Sequence, residues 1–176
     1  ELKENLTRLQ QGGMMQFSHE FGSAIEMLLD NVEDPQLTAL MLTMPKETDF
    51  AELFDTIDPV GIAKVREFLI ESIAAYFEDC LYKLYNANKC GTYRVCEQDI
   101  AKRALRNVCL SYLAFTDLGE KLVKTHYDQA NNMTDTLAAL SAATKAELEC
   151  RDELLADFEA KWYQDGLVMD KWFALQ

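Results

Sequence analysis

From Ile62 to Leu84 the residues Ile62, Val65, Leu69, Ile73, Phe77, Cys80, Leu81 and Leu84 recur at steps of three and four. That spacing lines one face of an α-helix, whereas strand side chains alternate with a period of two. A stripe this long needs apolar partners along its length, so the chain is expected to fold as packed helices. The run opens behind Asp58-Pro59 and reaches about Asn86. A carboxylate there can accept otherwise unpaired amides, and the fixed φ of proline suits the first helical turn. A second run follows Glu97, with Ala101, Leu105, Val108, Tyr112 and Phe115. Between the two, NKCGTYRV (Asn88–Val95) reads as a connector with Gly91 as its pivot.

The remaining punctuation is sparse, with only 3 prolines and 7 glycines. Asp34-Pro35 repeats the helix-start signal, and Asp49 with Glu52 and Asp117 with Glu120 have capping-box spacing. Gly12-Gly13 and Gly166 read as helix stops. Further helices are predicted at about 117–130, 132–146, 149–165 and 168–175. No stretch sustains the apolar alternation of a strand, so the fold class is all-α. The helix from Asn132 carries Ala138, Ala139, Ser141, Ala142 and Ala143, which let neighbours approach on several sides. That suits an α-solenoid of stacked antiparallel helix pairs better than a single four-helix bundle. No fixed repeat length recurs, and tetratricopeptide and ankyrin signatures are absent, so the superhelix is irregular. Residues 1–176 are read as one domain, a length that can bury a core without metal or disulfides.

Charge narrows the partners. With 17 Lys+Arg against 30 Asp+Glu the formal charge is −13, and no basic stripe is available to replace counterions on nucleic acid. Attraction to an anionic membrane is disfavoured for the same reason. The 5 cysteines are odd in number, and Cys80 and Cys109 fall inside apolar helical patterns. They read as reduced, buried thiols. Glu1 opens no signal-peptide pattern, and no apolar run is long enough to span a bilayer. Together these imply a cytoplasmic protein. The triplets Asn5-Leu6-Thr7 and Asn132-Met133-Thr134 match the glycosylation pattern but arise readily by chance.

The candidate chemical motifs are incomplete. His19-Glu20 would begin the H-E-x-x-H zinc motif, which needs two imidazoles one helical turn apart, but position 23 is Ser23. His19 is therefore expected on a helix surface, and nothing near His126 spaces like a ligand set. Cys90 and Cys96 stand further apart than zinc-binding cysteine pairs do, and no second pair follows. Lys102, Arg103 and Arg106 follow Glu97 and Asp99, so local ion pairing at helical spacing is expected. Trp162 and Trp172 flank Gly166 and read as core or interface anchors. No residue is assigned a catalytic, cofactor-binding or metal-ligating role.

The chain closes on GLVMDKWFALQ, an apolar element where free termini are usually polar. Leu167, Val168, Trp172, Phe173 and Leu175 are expected to form an apolar face lacking its cover, which implies self-association and a piece of a longer chain. Three blocks carry a family resemblance: TYRVCEQDIAKRALRNVCLSYLAF (Thr92–Phe115), QANNMTDTLAALSAA (Gln129–Ala143) and CRDELLADFEAKWYQDGLVMDKWFALQ (Cys150–Gln176). LFDTIDPVGIAKVREFL (Leu53–Leu69) and LYNAN (Leu84–Asn88) fit as well. They resemble the C-terminal helical domain of the bacterial aminopeptidase N family, zinc-dependent alanyl aminopeptidases of the gluzincin class. The resemblance runs from about Leu37 to the end and is looser before it. It implies a cone-shaped superhelix that covers an upstream catalytic domain and narrows access to its site. Zinc and the G-x-M-E-N amine-binding motif would lie in that upstream domain, and none of those residues is present here. The implied partners are the catalytic domain of the same parent chain and the parent's peptide substrates. The rival reading is a free-standing α-solenoid interaction module with no enzymatic activity.

Overall fold

The computed structural model describes all 176 residues and contains ten helices and no strand. They are α1 (Leu2–Gln10), α2 (His19–Asp30), α3 (Pro35–Leu42), α4 (Glu47–Ala51), α5 (Pro59–Ala87), α6 (Glu97–Leu113), α7 (Gly119–Gln129), α8 (Met133–Lys145), α9 (Arg151–Trp162) and α10 (Gly166–Phe173). Short turns join α6 through α10, so neighbours in sequence lie side by side. α5 packs on α1, α2, α4 and α6, while α6 also meets α3, α7 and α8. α9 rests on α8, and α10 on α9. The fold is an irregular stack of helices, as the small side chains of α8 imply. Ala139, Leu140, Ala142 and Ala143 are buried where α8 meets α6, α7 and α9.

The long stripe of α5 serves two cores. Ile62, Val65 and Leu69 join Leu2, Leu6 and Phe50 in a smaller cluster. Ile73, Ala74, Leu81 and Tyr85 join a larger one with Leu105, Cys109, Leu113, Val123, Leu140 and Phe158. Burying each such aliphatic side chain stabilises the fold by roughly 1.5–3 kcal/mol. The helix is broken at Phe77, where φ is −120° and ψ is 20°. Neither proline nor glycine marks that point in the sequence.

Several helix ends follow local chemistry. Asp34 Oδ1 accepts the amides of Gln36 (2.9 Å) and Leu37 (3.2 Å), and Asp58 Oδ1 accepts that of Gly61 (2.9 Å). A Cβ on Gly61 would lie 2.6 Å from Leu6 Cδ1, so glycine lets α1 close on the start of α5. α1 ends in a Schellman turn: Gly12 at φ 75° donates to the Leu9 carbonyl and Gly13 to that of Arg8.

Other expected ends differ. Asp49 is the third residue of α4, not its cap, and its carboxylate accepts the Lys46 amide at 2.9 Å. Asp117 makes no cap for α7, which starts at Gly119, and the Leu118 amide turns to Thr116 Oγ1 (3.3 Å). Gly166 opens a helix instead of closing one, because Asp165 Oδ1 accepts the amides of Leu167 and Val168. The connector spans residues 88–96, one residue beyond the expected 88–95, and Gly91 within it has no positive φ; among the glycines only Gly12 has one.

All five thiols are unpaired. Cys109 and Cys150 are buried, Cys80 is only half-buried, and Cys96 is exposed. Burial pushes the Cys109 thiol up to about 12.

Candidate functional site

A buried polar cluster lies where α5, α6, α7 and α8 meet. Tyr85 near the end of α5 shares a 2.9 Å hydrogen bond with Nδ1 of His126 on α7. Arg106 on α6 donates through Nη2 to the same phenol oxygen at 3.0 Å, and its guanidinium lies 4.5 Å from the Tyr85 ring centroid. A phenol that accepts from arginine still has its own proton available for Nδ1. His126 is 1% exposed, and burial, with the Arg106 charge beside it, lowers its pKa to about 4. Burial likewise raises the pKa of Tyr85. His126 Nε2 and Arg106 Nε have no protein partner. Asp135, at the start of α8, closes the group. It accepts from Asn107 Nδ2 (3.0 Å) and Asn132 Nδ2 (2.8 Å), and its own amide is held by Asn132 Oδ1 (3.0 Å).

This arrangement replaces the ion pairing expected along α6. Asp99 reaches back to the connector and takes a two-pronged bond from Arg94, at 2.8 and 3.1 Å, which holds its carboxyl below the usual range. Arg103 stacks on Tyr93, 5.0 Å from the ring centroid, and donates to the Arg94 carbonyl. Glu97 and Lys102 enter no ion pair within 4 Å. The cause is geometric: a nine-residue connector folds back over the first turns of α6 and brings a closer cation than any at helical spacing.

The expected terminal face is divided. Val168, Trp172 and Leu175 turn onto the larger core, and Trp172 Nε1 donates to the Leu155 carbonyl at 3.0 Å. Leu167 and Phe173 are left 80% and 65% exposed. Trp162 packs its ring against Phe158 with centroids 6.4 Å apart and is 38% exposed. Of the two tryptophans, only Trp172 is an anchor. His19 is exposed on the first turn of α2, and His126 lies far along the chain, inside the core. No group of three or more His, Cys, Asp or Glu side chains could hold a metal ion. Sequence reasoning missed the Arg106–Tyr85–His126 chain because its members lie 21 and 41 residues apart and share no motif.

Residues 1–176 match the family described as a domain of unknown function (DUF3458_C), ARM repeats. The chain is 55% identical over its whole length to aminopeptidase N of Haemophilus influenzae, covering 20% of that protein. It is 51% identical over 99% of its length to aminopeptidase N of Escherichia coli, again covering 20% of it. Aminopeptidase N of Caulobacter vibrioides is 32% identical over 85% of the chain. The chain thus spans about a fifth of the length of the curated relatives it matches. In fold, it superposes on Legionella pneumophila aminopeptidase A in complex with aspartic acid with a TM-score of 0.82, covering 99% of this chain and 22% of that one at 22% identity. The stacked helices, the family match along every residue and the identity to three aminopeptidases lead to one conclusion: the chain belongs to the ARM-repeat helical family found as the C-terminal region of aminopeptidase N.

Proposed function

We propose that residues 1–176 form one non-catalytic domain of a zinc-dependent aminopeptidase that removes N-terminal residues from peptides. The domain lies against the catalytic domain of the same parent chain and narrows the approach of peptides to its site. The observation that carries this reading is the 55% identity along the whole chain to a protein named aminopeptidase N, of which it covers only 20%. The side chains present do not fit zinc, since no set of potential ligands converges. The metal would therefore be held by the remainder of the parent, and no chemical step is assigned to this chain. Its contribution is steric. A cytoplasmic setting is supported by five unpaired thiols, including the exposed Cys96. No helix is long and apolar enough to cross a membrane.

The test is hydrolysis of alanyl-arylamide by two proteins, the 176-residue chain and a full-length parent containing it. The parent should be active, and the chain alone, supplied with zinc, should match the buffer blank. Turnover by the isolated chain, or an inactive parent, would overturn the reading.

A further inference from the structure

Between the end of α5, the middle of α6 and the length of α7 lies an open pocket of ≈ 250 Å³, bordered by Tyr82, Tyr85, Lys89, Arg106, Lys121 and Gln129. Three of its bordering residues are cations and none is a carboxylate, in a chain of net charge −13. None of the five ion pairs in the protein involves Lys89, Arg106 or Lys121. Lys89 Nζ donates only to the neutral Gln129 side chain, at 3.0 Å. Arg106 is only 8% exposed, yet its one hydrogen bond goes to a neutral phenol and its Nε has no partner. A buried guanidinium ordinarily has an anion against it, because removing the charge from water is costly without one. Asp135, the carboxylate of the same cluster, forms no ion pair with Arg106 within 4 Å and accepts instead from the side chains of Asn107 and Asn132.

We propose that this pocket binds a small oxyanion, a phosphate or a carboxylate, with Arg106 at its base and Lys89 and Lys121 at its mouth. The Arg106 guanidinium has donors to spare in the planar fork that matches two oxygens of such an anion. The Tyr85 ring fixes the plane of that fork from one side. The volume exceeds several times a water's share of the liquid, about 30 Å³, so an oxyanion enters with part of its hydration shell. The site is independent of the peptidase reading, since it uses only side chains of this chain.

Calorimetric titration of the 176-residue chain with inorganic phosphate, and separately with acetate, at ionic strength held constant with chloride, tests the proposal. Saturable one-to-one binding of at least one anion is expected. Binding of phosphate alone assigns the site to phosphates, and competition by acetate assigns it to carboxylates. Arg106→Met, which keeps the buried stem, should weaken binding by about tenfold or more, the worth of a charge-assisted bond. If circular dichroism shows that this variant does not fold, the exposed pair Lys89→Gln with Lys121→Gln decides, with several-fold weakening expected. Absence of saturable binding to either anion, or unchanged affinity in a folded variant, would overturn the proposal.

Discussion

α1 and α10 are helices of 9 and 8 residues, both too short to stand alone in water, and they are held by different means. α1 buries Leu2, Asn5 and Leu6 against α5. Asn5 exchanges two hydrogen bonds with the Gln16 backbone, at 2.9 and 2.7 Å. The Glu1 carboxylate takes both the amide and the hydroxyl of Ser18, at 2.9 and 2.6 Å, and so ties the start of α1 to the cap of α2. α10 buries only Met169, rests on α9, and has one long-range hydrogen bond, from Trp172 to the Leu155 carbonyl. Length and helix propensity do not separate the two. What separates them is the number of ties each makes to distant parts of the chain.

The widest gap is expected in paired truncations. Leu6→Ala removes a side chain from the smaller core and should cost about 2–5 kcal/mol. Leu167→Ala, in water, should change stability by no more than about 0.5 kcal/mol. Denaturant unfolding measures both, and similar costs would erase the contrast.

Acid should lower the stability of the fold as a whole through His126, which lies in neither end but in the cluster against Tyr85. Its folded pKa of about 4 lies below the unfolded value of about 6.5, so above pH 6.5 neither state is protonated. As pH falls from 6.5 to 4 the unfolded chain takes up the proton first, and stability drops by on the order of 2–3 kcal/mol before levelling. Asp58, Asp99 and Asp157, whose pKa values are lowered, add their losses only below that window. His126→Gln should flatten the slope between pH 6.5 and 4 in stability measured against pH.

Single hydrogen-bond deletions refine the contrast. Asn5→Ala strands the backbone groups of Gln16 and should cost about 1–3 kcal/mol, whereas Trp172→Phe, losing one donor, should cost about 1 kcal/mol. Hydrogen exchange of the two helices in each variant shows which end opens. The smallest stability effect belongs to Leu167→Ser with Phe173→Ser, within about 0.5 kcal/mol. The unsubstituted chain is expected to self-associate through these two side chains at micromolar concentration, and sedimentation should show the doubly substituted chain as a monomer.

What the sequence revealed and what it hid follow one physical line. Asp34 and Asp58 could be read as caps because donor and acceptor lie within three residues of one another. The stripe from Ile62 to Leu84 was readable because helix periodicity is itself local. Glu1 with Ser18, and Arg106 with Tyr85 and His126, depend on how helices stack, which no window of one helix encodes. Gly166 misled because glycine suits either side of a helix boundary, and the neighbouring Asp165 carboxylate decided which. At the chain's end, counting apolar residues could not tell that Val168, Trp172 and Leu175 turn inward while Leu167 and Phe173 do not.

The placement of the tryptophans has a spectroscopic consequence. The chain has 2, one closing α9 and one within α10, so its intrinsic emission is a local gauge of one edge. Trp162 is 38% exposed and Trp172 is partly buried with its indole tied to the Leu155 carbonyl, so a shift of emission on unfolding reports on the α9–α10 edge. Far-ultraviolet ellipticity, by contrast, averages over all ten helices. If α10 lifts from α9 before the rest yields, emission will change at a lower denaturant concentration than ellipticity, and the two transition curves will separate instead of coinciding.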